Sequence, residues 1–343
     1  MIAQSPGPVE EPLLQNQSLS WQEELSGAIR APQALLRSLQ LSDDLLPAAE
    51  AAARLFPLRV PRPYLARIEP GNPRDPLLLQ VLPLHAEQLE VPGFVPDPLQ
   101  EQVSLRQPGV LHKYQGRVLL IVSGACAINC RYCFRRHFPY QDNNLGRDEW
   151  QQSLSYIAAN PDIEEVILSG GDPLVASDKR LAWLLSEIEA IPHVQRLRIH
   201  TRLPIVIPQR ITPALLTLLQ NTRLQTLMVI HANHPRELDQ AVRDALQSLR
   251  ASGILLLNQS VLLRDINDSA DTLAELSKAL FAAGVLPYYL HLLDPVAGTA
   301  HFDVDENRAQ KILQELRASL SGYLVPKLVR EEAGEPSKTP IPF

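Results

Sequence analysis

Six short β-rich runs, each followed by an amphipathic stretch, recur from Arg117 onward: RVLLIVSG, EEVILSGG, VQRLRIHT, LQTLMVIHA, ILLLNQSVLLR and VLPYYLHLLD. Their spacing is roughly 30 residues, the size of a βαβ unit. Helices are predicted between them near 148–159, 178–190, 213–220, 236–251, 271–283 and 305–320. Near-continuous apolar strands are buried on both faces, which requires a parallel sheet covered by helices. The fold class is therefore α/β. Eight units close a standard barrel, so six leave a partial (β/α)6 TIM-like barrel or a doubly wound sheet. Either way the ligand site lies at the carboxyl ends of the strands. Polar residues gather at those ends: Ser123 to Cys133, Ser169 to Asp172, His200 to Arg202, His231, Asn258 with Gln259, and Asp294.

Residues 1–18 carry no helical or strand period and read as a disordered tail. Residues 19–107 read as a helical and extended N-terminal region. Ser20 with Glu23 forms a capping-box pattern, Pro32 and Pro47 break short helices, and ten prolines between Pro57 and Pro98 impose extended connections. Residues 108–320 hold the barrel, leaving 321–343 as a C-terminal segment. The 343 residues are 45% hydrophobic and 20% charged, with a formal net charge of −6, which argues against a nucleic-acid surface. No apolar run approaches the ~20 residues that span a bilayer, and the N-terminus has no basic then apolar leader, so no membrane role and a cytoplasmic location are expected.

All three cysteines fall within CAINCRYC, at Cys126, Cys130 and Cys133, just after the first predicted strand. Three thiolates on one loop can converge on a metal centre. A structural zinc site wants four ligands, and His137 is the only nearby substitute for a fourth cysteine. A dithiol redox site is a further alternative. An iron–sulfur cluster with one open iron suits three cysteines at the catalytic end of a barrel. The CxxxCxxC spacing with Tyr132 before the last cysteine resembles the radical S-adenosylmethionine enzymes. That resemblance implies that Cys126, Cys130 and Cys133 hold a [4Fe-4S] cluster whose fourth iron binds S-adenosyl-L-methionine. It also implies that Gly170, Gly171 and Asp172 of the GGDP turn contact that cofactor.

Further strings resemble the lysine 2,3-aminomutases within that superfamily: LHKYQGRVLL, CRYCFRRHFPY, RLPIVIPQRIT, HANHP, LNQSVLLRDIND, PYYLHLLD and SKTP. The resemblance implies an isomerase that also uses pyridoxal 5'-phosphate, carried on Lys338, with the C-terminal segment folded over the barrel mouth. By matched position Arg117 and Lys113 would face the pyridoxal phosphate group, with Lys113 standing where an arginine is usual. Arg135 would pair with the substrate carboxylate and Asp294 with the substrate ε-ammonium. Glu331, standing where the pattern has an aspartate, would contact the substrate as well. His231 and Gln259 are expected to contact cofactor, whereas His137, His193, His291 and His301 read as structural or exposed. The strings LFPLRVPRPYLARIEPGNPRDPLLLQVLP and PGFVPDPLQEQ resemble a bacterial branch that makes (R)-β-lysine from L-lysine for elongation factor P. The implied partners are elongation factor P, its lysyl ligase and an external electron donor. Two alternatives remain: a free-lysine catabolic or other radical amino-acid mutase, and a zinc-binding adaptor for elongation factor P.

Overall fold

The computed structural model describes residues 19–139 and 146–342; the tail read over residues 1–18 lies outside them. The N-terminal region is built from short helices: α1 (Trp21–Ser26), α2 (Pro32–Ser38), α3 (Leu46–Leu55), α4 (Arg62–Leu65) and α5 (Pro76–Leu79). Ser20 and Glu23 cap α1 reciprocally. Pro32 and Pro47 sit in the first turns of α2 and α3, so they start those helices instead of breaking them. A first-turn proline is tolerated because its missing N–H has no helical partner there.

One ten-stranded sheet follows in sequential order. The strands β1 (Leu105–Gln107) and β2 (Val110–Tyr114) form an antiparallel edge against β3 (Arg117–Ser123). Next come β4 (Glu165–Gly170), β5 (Arg196–Thr201), β6 (Gln225–Ile230), β7 (Leu255–Val261) and β8 (Leu286–His291), all parallel. They alternate with α6 (Arg147–Ala158), α7 (Asp178–Glu189), the short α8 (Leu203–Val206), α9 (Pro213–Gln220), α10 (Gln240–Ala251), α11 (Ala270–Ala282) and α12 (Glu306–Ser319). Side-chain caps fix where these helices begin, with Ser177, Thr212, Asp239, Ser269 and Asp305 each accepting from a first-turn backbone N–H.

The six-unit partial barrel is thus present. It gains a strand that the sequence reading had assigned to the tail: β9 (Lys327–Arg330) pairs parallel with β8, and β10 (Thr339–Pro340) returns antiparallel on β9. Among the described residues no backbone pairing joins β10 to β1, so the barrel stays open at that seam. Trp21, Leu35, Leu36, Tyr64, Leu77 and Leu78 belong to the same buried cluster as Leu120, Leu168, Ile199 and Leu290. The N-terminal helices therefore share the barrel's core. No helix among the described residues is long and apolar enough to cross a membrane.

Candidate active site

Strand register sets the first element of the site. Ser123 pairs with Gly170, so the cysteine loop and the GGDP turn leave the sheet side by side. Gly171 N–H donates to the Ser123 carbonyl at 2.7 Å and Asp172 N–H to that of Ala125 at 2.9 Å. Glycine is required at both positions: Gly170 has φ of +117°, and a Cβ on Gly171 would lie 2.4 Å from the Ala125 oxygen. The Asp172 carboxylate accepts from Thr201 Oγ1 and Arg202 N at 2.7 Å and from Leu174 N at 3.0 Å, so its oxygens shape the turn from within. Burial, working against those donors, pushes Asp172 up to about 6.

The cysteine loop is clamped by the N-terminal region. Asn129 N–H donates to Arg59 O at 3.0 Å, Asn129 Nδ2 to Pro57 O at 2.8 Å, and Arg131 N–H to Gln80 O at 2.9 Å. Arg131, fully buried, bonds the Glu87 carboxylate through Nε at 2.9 Å and Nη2 at 2.5 Å, and Arg136 joins the same carboxylate at 2.8 Å. The Phe56 ring stacks with both guanidinium groups, 4.9 Å from Arg131 and 4.8 Å from Arg136.

Burial and the neighbouring thiols push Cys126 up, and push Cys133 up to about 12. The backbone N–H of Arg135 nevertheless donates to the Cys133 sulfur, and Arg202 Nη1 donates to Cys130 Sγ at 2.7 Å. Burial opposes the thiolate form of Cys126 and Cys133, and a cationic partner favours it. That chemistry fits an iron–sulfur cluster, which takes one thiolate per iron. Among the described residues no three His, Cys, Asp or Glu side chains close around one point as a single metal ion requires. His137, the substitute ligand of the zinc alternative, is exposed and donates through Nε2 to Ala297 O at 3.1 Å.

A second constellation sits at the open seam. Glu331, just beyond β9, accepts from Lys113 Nζ at 2.8 Å and Tyr114 Oη at 3.2 Å with one oxygen, and from Lys338 Nζ at 2.5 Å with the other. It links β2 to the segment before β10 where backbone pairing does not. Burial opposes its charge, but Lys338 and Lys113 outweigh burial and hold Glu331 well below the usual carboxylate range. Lys338 lies 5.9 Å from the Tyr289 ring centre, and the Arg117 guanidinium stacks 4.6 Å from that of Tyr114. Asp294 is pushed up to about 7 by burial and by the nearby Glu331 charge.

Both constellations line one cavity of ≈1060 Å³. Arg135, His231, Gln259 and Asp294 line it as well. Burial and the Arg202 charge push His231 down to about 4, against a hydrogen bond with Gln259. Arg135 is gripped by Glu101 and also donates through Nη1 to Ser169 Oγ at 3.2 Å. The cavity therefore unites every expected site residue: Lys113, Arg117, Cys126, Cys130, Cys133, Arg135, Gly170, Gly171, Asp172, His231, Gln259, Asp294, Glu331 and Lys338. Of the two readings offered for His291, structural or exposed, the structure shows it buried. His291 lines this cavity, and its buried Nε2, like that of His200, has no partner among the described residues. Orphaned imidazole nitrogens on a wall that also carries Lys113 and Arg117 fit ligands rich in oxygen acceptors, such as a phosphorylated pyridine. Glu101 and Glu237 were missed, and Arg202 was read only as one of the polar residues at the strand ends, because their partners come from segments far away in sequence.

The sequence pattern of the Radical SAM superfamily matches residues 120–276. The chain is 56% identical over 322 residues to the L-lysine 2,3-aminomutase of Escherichia coli (strain K12), covering 94% of each chain. It is 54% identical over 330 residues to that of Haemophilus influenzae, covering 96% of this chain and 97% of the relative. To the enzyme named L-lysine 2,3-aminomutase in Clostridium subterminale it is 34% identical, covering 94% of this chain and 77% of the relative.

Proposed function

Since the chain belongs to the lysine 2,3-aminomutase family of the radical SAM superfamily, and so is an isomerase, we propose that it converts L-α-lysine to (R)-β-lysine with pyridoxal phosphate as a second cofactor, its product serving the modification of elongation factor P. One observation carries this reading: a single cavity is lined by the three cysteines and by Lys338, together with cationic side chains such as Arg117 and Arg135 and the anionic Asp294 and Glu331. When bound, the cluster with S-adenosylmethionine supplies a hydrogen-abstracting radical, and pyridoxal phosphate supplies a π system conjugated to the migrating nitrogen.

The protein's own residues bind, orient and exclude water. Cys126, Cys130 and Cys133 hold the irons on a loop clamped through Glu87. Lys113 and Arg117 face the phosphate, and Lys338 presents the amine that carries the pyridoxal group. Arg135 carries a planar fork suited to the substrate carboxylate, a geometry that lysine cannot copy, and in the structure Glu101 occupies that fork. Asp294 and Glu331 supply negative charge for the ε-ammonium. His231 and Gln259, bonded to each other, present a neutral imidazole and an amide to the cofactors. Phe56 and Glu101 of the N-terminal region and Leu328, Val329 and Pro340 of the β9–β10 return line the cavity, where they would help to keep a reactive centre away from solvent. The elongation factor P assignment is supported by the resemblance of the N-terminal strings.

The test is anaerobic. Reconstituted protein is given pyridoxal phosphate, S-adenosylmethionine, a reductant and L-lysine, and β-lysine is sought by mass spectrometry, with Cys130→Ala and Lys338→Ala alongside. β-Lysine from the unsubstituted protein and from neither variant is expected. Cofactor cleavage without lysine conversion would overturn the substrate, and lysylated elongation factor P would then be assayed.

A further inference from the structure

Of the three cysteine sulfurs, Cys130 Sγ receives a charged side-chain donor. Arg202 follows β5, and its backbone N–H is fixed by Asp172 at 2.7 Å. Nη1 of the guanidinium points at Cys130 Sγ, 2.7 Å away, while Nη2 donates to Gln80 Oε1 at 2.6 Å and Glu237 Oε2 at 2.9 Å. Gln80 and Glu237 have no solvent exposure, and Arg202 is 5% exposed. The other Glu237 oxygen accepts from Asn233 N at 2.8 Å, His234 N at 3.1 Å and Gln80 Nε2 at 3.1 Å. The guanidinium also lies 5.4 Å from the Tyr64 ring centre and 5.7 Å from that of Tyr132. A buried ion pair that served only to staple β5 to the N-terminal region would be complete with Glu237 and Gln80. Here the same array also aims an N–H at a sulfur.

Resting on the reading that these cysteines hold an iron–sulfur cluster, we propose that Arg202 is a positioning residue for electron entry: its N–H to Cys130, oriented by Glu237 and Gln80, raises the reduction potential of the cluster. One-electron reduction adds negative charge that spreads onto the sulfurs. A fixed donor and positive charge beside one sulfur stabilise the reduced form more than the oxidised one, and solvent exclusion strengthens the effect. Glu237 lies farther from the sulfur and carries the opposite sign, so it offsets part of the Arg202 field. The two residues therefore act on the potential in opposite directions, which a purely structural staple would not do.

The experiment reads the cluster and not the turnover. Protein is reconstituted anaerobically, iron and sulfide are counted per chain, and the cluster is titrated with dithionite under electron paramagnetic resonance without lysine. Glu237→Gln is expected to raise the midpoint potential. Arg202→Lys, which keeps the charge but cannot reach both the sulfur and Glu237, is expected to lower it. Arg202→Gln/Glu237→Gln, which leaves no unpaired buried charge, is expected to lower the equilibrium constant for reduction about tenfold, about 59 mV for one electron. Unchanged potentials in iron-loaded variants, or shifts of the same sign for Glu237→Gln and Arg202→Lys, overturn the proposal. A folded Arg202 variant that holds no iron also overturns it, because Arg202 would then be a staple of the cysteine loop. An unsubstituted protein without iron and sulfide would instead sink the cluster reading. If the double variant does not fold, the two single variants decide the question by their signs.

Discussion

Arg135 and Glu101 meet through both ends of the guanidinium, Nε donating to Oε2 at 2.8 Å and Nη2 to Oε1 at 2.7 Å. Arg135 is 7% exposed and Glu101 is 8% exposed. The fork expected to take a substrate carboxylate thus already holds one from the short 3-10 turn Glu101–Ser104. Glu101→Gln keeps the shape and removes the charge. We expect KM for lysine to fall several-fold in steady-state assays, while thermal denaturation shows a stability loss on the order of 1–3 kcal/mol. An unchanged KM would mean that the substrate carboxylate docks elsewhere.

Asp294 predicts a pH dependence in two measurements. Its folded pKa is raised to about 7, above the unfolded value of about 3.9, so the neutral acid is the form the fold favours. Stability from this group is present in acid and is lost as pH rises through about 7. The ligand-free protein should therefore lose stability across that window, and Asp294→Asn should flatten the loss in denaturant titrations. Binding has the opposite sign: an ionised Asp294 attracts an ammonium, so lysine should bind more tightly above pH 7 than below it. Calorimetric titrations that show no such trend would remove Asp294 from ammonium recognition.

Gly171→Ala places a methyl group 2.4 Å from the Ala125 carbonyl oxygen, where backbone and not a flexible side chain must yield. Overpacking of this kind costs typically 1–3 kcal/mol. Because Ala125 immediately precedes Cys126, the expected consequence is a displaced cysteine loop and a clear fall in iron bound per chain. Full iron loading at unchanged stability would show that the loop tolerates the shift.

Glu87 is fully enclosed and holds both Arg131 and Arg136. Glu87→Gln leaves two buried guanidinium groups with no counter-ion, and a loss of about 3–5 kcal/mol is expected by chemical denaturation. Adding Arg136→Met to Glu87→Gln should recover part of that loss, because it removes one of the stranded charges. A single variant as stable as the parent would show that Glu87 is not the anchor of the cysteine loop.

The order of strands and helices was legible because it is local. Period-two and period-3.6 patterning placed the six barrel helices within a few residues of their observed spans, and the capping pair Ser20–Glu23 forms as read. The strand β9 was not legible. KLVR is short, offers little alternation and becomes a strand only because β8 presents an unpaired edge to it. For the same reason the carboxylate of Glu331, read as a partner for substrate, is found spanning Lys113 and Lys338 at the seam.

The chain alone determined which chemistry is available: a three-cysteine loop after the first barrel strand, a glycine turn after the second and a lysine before the C-terminal Thr-Pro. Spacing along a chain suffices for that, since it fixes which groups share one loop or one strand end. Tertiary structure decided which charges face each other. Glu101 with Arg135, Glu237 with Arg202 and Glu87 with Arg131 are paired across 34, 35 and 44 residues of sequence. Such pairs form only after the core has closed, when each buried charge must be matched by whichever opposite charge packing has brought alongside.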